Sequence, residues 1–345
     1  MIIKLRIALI ADPELPVPPV LYGGIERIIA MLVNSYVKLG HEVSLFAHQD
    51  SKTDGKLFPY QGKTSNKPVD IIKNSYLINK ELYRHRYDII HSFGRLFYLL
   101  PQLPRNLPKL MSYQREPTIS QIIKANRLAK TNSLAFTGCS AYISNQISPF
   151  ATAHPIFNGV DLNVYDFKSE VSTDAPLVFL GRIEPIKGVH IAIKVAQHTN
   201  KKLLIAGNIP SEFENYFEQE IKPHLSEKII YVGPVNDVKK NEILGKALAF
   251  LMPIEWNEPF GIVMAEAMAC GTPVISFNRG AIPELIIPEI NGLKCENLEE
   301  MITAVYNIGK LDRQKVRKDA EKRFSSDVIV NQYLTLYKSL ISKNV

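Results

Sequence analysis

Two glutamates, Glu258 and Glu266, stand in the stretch LMPIEWNEPFGIVMAEAMACGTPVISF, Leu251–Phe277. Both can accept hydrogen bonds, and the residues between them set up an anion site. The apolar run Ala249 to Ile254 reads as a buried strand. A polar loop, Glu255-Trp256-Asn257-Glu258, leads to Pro259, which pre-sets the backbone for a helix start. The apolar content of Phe260–Cys270 predicts a helix that stops at Gly271, and Val274–Phe277 predicts a second buried strand. The mouth of a helix offers unpaired N–H groups and partial positive charge, which suits phosphate, and Gly261 lets a ligand approach the backbone closely. Glu258 could then hold hydroxyls beside the phosphate and Glu266 others further on, an arrangement that fits a nucleotide sugar. Taken alone, such a pair is more often a dipole partner and a solvated helix residue.

The surroundings change that balance. The run E-P-F-G-I-V-M-A-E-A-M-A-C-G-T-P-V-I resembles the donor-site motif of retaining glycosyltransferases of family 4, which have the GT-B architecture. The resemblance implies that Glu258 holds sugar hydroxyls and that the backbone across Pro259, Phe260, Gly261 and Ile262 takes the phosphate. It implies that Glu266 takes the ribose. It extends to Gly181-Arg182-Ile183-Glu184-Pro185-Ile186-Lys187-Gly188, where Gly181, Arg182 and Lys187 match the family's diphosphate-binding loop. It also covers Gly233-Pro234-Val235, which would line the base, and Leu21-Tyr22-Gly23-Gly24-Ile25-Glu26-Arg27. There Gly23 and Gly24 would face the donor phosphate and Tyr22 the acceptor.

Charge developing on a departing diphosphate needs a metal or fixed cations and dipoles. No Asp-x-Asp pair occurs in the chain, so Arg182 and Lys187 are expected to serve, with neither metal nor cofactor. One position departs from the family. Many relatives carry a histidine near the reacting sugar, where this chain has Gln114, in Met111-Ser112-Tyr113-Gln114-Arg115-Glu116. Glutamine exchanges hydrogen bonds but moves no proton at neutral pH. Either His91, at the end of an earlier strand, takes the polar role, or the acceptor hydroxyl passes its proton to the leaving phosphate. A core-edge histidine with a satisfied ring is as common as a functional one. Gln114 and Arg115 are further acceptor-site candidates.

The elements that must position these residues follow a doubly wound pattern. The chain has 345 residues, 46% hydrophobic and 22% charged, which suits a soluble globular protein of two domains. Strands are predicted at Ile7–Asp12, Val43–Ala47, Ile89–His91, Lys109–Gln114, Leu177–Leu180, Lys202–Ala206 and Ile229–Val232. Helices are predicted at Ile25–Leu39, Ile71–Arg86, Ala141–Ser148, Val189–His198, Glu212–Lys222 and Val238–Lys246. Strands alternating with helices imply parallel sheets. The resemblance implies two Rossmann-like domains facing a central cleft: residues 1–165 for the acceptor and 166–327 for the donor. Asp161 to Ala175 would be the linker, and a last helix at 328–345 would cross back onto the first domain.

Three distant cysteines, Cys139, Cys270 and Cys295, fit a reduced cytosolic compartment. The first residues, MIIKLRIALIAD, are too short to span a membrane and read as a strand. A net charge of +7 is spread over dispersed cations, including a run from Arg313 to Arg323, and reads as solvated faces. It also suits a phosphorylated donor or peripheral contact with an anionic membrane; no nucleic-acid motif is present. The expected activity is retaining transfer of a hexosyl group from a UDP- or GDP-sugar to a glycan, glycolipid or small-molecule hydroxyl. A nucleotide-sugar 2-epimerase and a catalytically silent sugar-nucleotide binder are the alternatives.

Overall fold

The structure, a computed structural model, describes residues 4–20 and 23–344. It divides into two compact units, residues 1–159 with 326–345 and residues 160–325. The division comes earlier than residue 165 because Val160 already bridges Ser325, and its N–H donates to Phe324 O at 2.7 Å. The irregular stretch after Asp161 therefore belongs to the second unit.

Unit 1 holds seven parallel strands: β1 (Arg6–Ile10), β2 (Glu42–Ala47), β3 (Lys56–Pro59), β4 (Ile89–Ser92), β5 (Lys109–Tyr113), β6 (Leu134–Gly138) and β7 (Ala153–Pro155), ordered β3-β2-β1-β4-β5-β6-β7. Its central strands are buried almost throughout, as expected where helices cover both faces of a parallel sheet. The final helix, Ser326–Ser342, closes this core with Tyr333 and Tyr337. Unit 2 holds six: β8 (Leu177–Leu180), β9 (Leu203–Ala206), β10 (Ile229–Gly233), β11 (Ala249–Met252), β12 (Val274–Phe277) and β13 (Gly292–Cys295), ordered β10-β9-β8-β11-β12-β13. In each unit the strand order reverses direction once, between β1 and β4 and between β8 and β11. Such switch points open a crevice at the strands' carboxyl ends.

Several local expectations need correction. The segment Glu212–Lys222 is no single helix: a π-turn at Phe217–Ile221 and a 3-10 turn at Lys222–His224, which contains Pro223, interrupt it. Pro259 does not open a helix, because Gly261, at φ 80°, delays its start to Ile262. The cations between Arg313 and Arg323 are not all solvated. They lie on a helix, Arg313–Phe324, whose arginines reach inward. Arg313 donates to the carbonyls of Lys168, Gly245 and Ala247, and Arg317 to those of Tyr165 and Ala269. Gly245 and Ala269 end two helices, so these guanidinium groups satisfy carbonyls that the helices leave unpaired. Burial pulls the Arg313 pKa down to about 10. Among the described residues, no helix is long and apolar enough to cross a membrane.

Candidate active site

At the β8/β11 switch point of unit 2, backbone geometry brings a cation onto a carboxylate. The loop after β8 is pinned by Gly181 N–H to Ala206 O and Ile183 N–H to Asn208 O, both 3.0 Å. It then turns through Pro185–Lys187 to Gly188. Gly188 has φ 74°, and a Cβ there would lie 1.9 Å from the Pro253 carbonyl oxygen, so only glycine lets the two loops touch. Glu255 N–H reaches back to Ile186 O at 2.8 Å.

The result is a hydrogen-bonded ion pair, Lys187 Nζ to Glu258 Oε2 at 2.7 Å. Trp256 Nε1 donates to the same oxygen at 3.0 Å, and the Lys187 ammonium stands 4.6 Å from the centre of the Trp256 ring. Glu258 is 8% exposed, and its carbonyl is held by Ala281 N–H at 2.8 Å. Behind it Gly261, Ile262 and Val263 are half-exposed at the start of the helix Ile262–Ala269, while the Phe260 ring anchors inward on Phe324. Chemically this is a fixed cation beside a helix mouth, with a carboxylate at its edge.

The other expected donor residues are placed as follows. Arg182 meets Glu184, not Glu258: Nη2 lies 2.9 Å from Glu184 Oε1, and Arg182 Nε is buried with no hydrogen-bond partner among the described residues. Glu266 occupies a separate cluster. It is 3% exposed, and its Oε1 accepts from Tyr165 Oη and from Lys240 Nζ, each at 2.6 Å. Gly233 closes β10, and Pro234 and Val235 follow it, partly exposed, at the edge of the same sheet. Lys240, Tyr165, Trp256 and Glu184 were not singled out from sequence. Lys240 is one of the dispersed cations that read as solvated, and Tyr165 lies within the expected linker.

In unit 1, Gly23 and Gly24 stand at the start of the helix Gly24–Lys38, and Tyr22 lies outside the described residues. His91 is not available to a substrate. It is fully buried, with Nδ1 on Tyr337 Oη at 2.5 Å and Nε2 on Ser112 Oγ at 2.6 Å. Burial pulls its pKa down to about 3. The imidazole is therefore a neutral core group, and the catalytic expectation for it is withdrawn. The unfolded chain takes up this proton near pH 6.5, so the contribution is complete above 6.5 and is lost as pH falls toward 3. His91→Ala is expected to lower stability by about 2–4 kcal/mol at pH 8 and to flatten the acid limb, read from urea midpoints between pH 4 and 8.

Around the β1/β4 switch point lies a cavity of about 850 Å³. Asp12 beyond β1, Phe93 to Arg95 beyond β4, and Gln114 with Arg115 beyond β5 all line it. Gln114 Oε1 accepts from Asn158 Nδ2 at 2.8 Å. Asp12 was read only as a strand end. Its carboxyl is pushed up to about 6, mainly by burial and then by Glu14, with Arg115 and Arg95 opposing. Glu26 and Tyr98 also face it electrostatically. Here the folded state holds the proton more tightly, so stability falls as pH rises from 3.8 toward 6. Asp12→Asn should raise stability by up to about 3 kcal/mol at pH 8 and by little at pH 4, checked by thermal melts at both values.

Two doubly wound parallel sheets, each with a switch-point site, define the GT-B class. Two family profiles match the sequence: "Glycosyltransferase Family 4" over residues 22–164 and "Glycosyl transferases group 1" over residues 164–323. The chain belongs to this glycosyltransferase family. It is similar to spore coat protein SA of Bacillus subtilis, with 24% identity over 97% of this chain and 99% of that protein. Among solved structures it resembles a sucrose-phosphate synthase from Thermosynechococcus elongatus, with a TM-score of 0.82 and 19% identity over 99% and 100% of the two chains. It also resembles Alr3699/HepE of Anabaena in complex with UDP and glucose, with a TM-score of 0.76 and 17% identity over 97% and 100%.

Proposed function

We propose that the chain transfers a hexosyl group, with retention, from a UDP- or GDP-linked sugar to a hydroxyl of a glycan, glycolipid or small molecule. The observation that carries this is the Lys187–Glu258 pair beside the mouth of the Ile262–Ala269 helix. The neighbouring structure in complex with UDP and glucose supports a nucleotide-sugar donor. Lys187, Arg182 and the first N–H groups of the helix take the charge of the leaving diphosphate without a metal. Glu258 exchanges its lysine contact for sugar hydroxyls. With His91 buried, the acceptor hydroxyl passes its proton to the leaving phosphate on the same face of the sugar. Glu266, oriented by Lys240 and Tyr165, meets the ribose.

Contact with an anionic membrane surface is supported by one face of the helix Pro68–Arg84. Val69, Ile72, Tyr76 and Tyr83 lie exposed there at helical spacing, with Lys73, Lys80 and Arg84 among them. The function is tested by incubating the protein with UDP- and GDP-sugars and hydroxyl acceptors while following free nucleoside diphosphate. Release that depends on acceptor is expected. Interconversion of the sugar without acceptor would point to epimerisation instead, and binding without turnover to a silent binder.

A further inference from the structure

The loop that carries Trp256 and Glu258 has a further anchor, on the helix Val189–Thr199. His190, the second residue of that helix, has Nδ1 2.8 Å from Tyr216 Oη and Nε2 3.5 Å from Glu255 Oε2. Three side chains from three segments thus form a row, and the backbone fixes its polarity. The His190 N–H donates to Tyr216 Oη at 3.4 Å, so the phenol oxygen accepts there and gives its own hydrogen to Nδ1. The ring hydrogen then sits on Nε2, facing Glu255. Burial pushes the Tyr216 hydroxyl up to about 12, so it keeps that hydrogen. Burial also holds the imidazole below its usual 6.5; Glu255 and Glu220 oppose this, and Lys194 adds to it. At pH 8 the ring is therefore a neutral N–H donor.

The backbone of Glu255 needs no help from this row. Its N–H donates to Ile186 O at 2.8 Å, and its carbonyl accepts from Arg279 Nη1 at 3.2 Å. What His190 holds is the carboxylate, on a side chain that is 43% exposed. Glu255 is bonded through its backbone to Ile186, the chain neighbour of Lys187. That places its charge within about one Debye length, ~10 Å, of a diphosphate held by Lys187, where like charges still repel.

We propose that His190 is a positioning residue of the donor site: presented by Tyr216, it draws the Glu255 carboxylate toward the first turn of the helix Val189–Thr199 and keeps it off the diphosphate at Lys187. The inference rests on the transferase reading and adds a residue that sets the charge around the donor. His190 touches no reacting atom and acts only through Glu255.

The test is binding of UDP and GDP to the full chain at pH 8, read by calorimetry, with a thermal melt of each variant. His190→Ala is expected to weaken nucleotide binding about fivefold, the effect of losing one such contact. His190→Gln keeps an N–H donor and should bind like the wild type. Glu255→Gln alone should bind at least as tightly as the wild type. Adding His190→Ala to Glu255→Gln should then cost less than about twofold, because the charge that His190 restrains is gone. Wild-type affinity in His190→Ala overturns the proposal. So does a loss in the double variant as large as in His190→Ala, which would mark a packing role. If UDP or GDP binds and His190→Ala binds it equally well, this inference fails while the transferase reading stands. If neither binds the wild type, the transferase reading fails and takes this inference with it.

Discussion

Lys187→Ala should lower kcat about 10²- to 10³-fold and leave the melting temperature close to wild type. The size of the loss follows from what removing one fixed donor costs when charge develops on a leaving group. Lys187 is held for that task by backbone: the 3-10 turn Pro185–Lys187, Gly188 against Pro253, and the Glu255–Ile186 hydrogen bond remain when its side chain is cut back. The fold tolerates the change because the Lys187 side chain is 20% exposed and Trp256 Nε1 still donates to the freed Glu258, which holds the loss to about 1 kcal/mol. Steady-state release of nucleoside diphosphate, with a thermal melt alongside, checks both halves. Wild-type turnover in Lys187→Ala would remove the cation from the chemistry.

Lys240→Ala should behave in the opposite way, with stability as the first loss. Lys240 and Glu266 are both almost wholly buried, and their 2.6 Å contact is supplemented by Tyr165 Oη and by Asp237 3.1 Å from the ammonium. Removing the lysine strands a carboxylate in the interior, at a cost of about 3–5 kcal/mol. Urea denaturation of unit 2 should show that loss. Glu266→Gln in the same chain should recover much of it, because the amide can still accept from Tyr165 without an uncompensated charge. A double variant no more stable than Lys240→Ala would show that the pair is not coupled as its geometry indicates. The two glutamates thus differ in their partners: the lysine side chain on Glu258 is 20% exposed and the one on Glu266 is 8% exposed.

Much of this was legible in the sequence, and the reasons for the misses are local. The order of strands and helices followed from short apolar runs alternating with amphipathic stretches, and the two glycine-bounded loops marked the ends of β8 and β11. That Lys187 and Glu258 share one donor site was implied by family resemblance, which did not indicate that they pair with each other; no spacing rule brings together residues so far apart in the chain. Arg182 illustrates the limit. Its loop was identified, yet its carboxylate neighbour Glu184 is two residues along the same loop and drew no notice. His91 shows the opposite error. A histidine at a strand's carboxyl end invites a catalytic reading, but its neighbours Tyr337 and Ser112 come from the distant C-terminal helix and from β5, which sequence does not place together. The helix Arg313–Phe324 was missed because its charges mask an apolar stripe of Val316, Ala320 and Phe324. Its arginines are directed inward by unpaired carbonyls that only the fold creates.

The central claim is that Lys187 and the opening turn of the Ile262–Ala269 helix receive the diphosphate of the donor. The most direct measurement is a crystal structure of this chain with UDP or GDP bound. The account predicts the β-phosphate against the N–H groups of Gly261 and Ile262, with Lys187 Nζ moved from Glu258 to a phosphate oxygen. A diphosphate seated elsewhere, with the Lys187–Glu258 pair undisturbed, would contradict it.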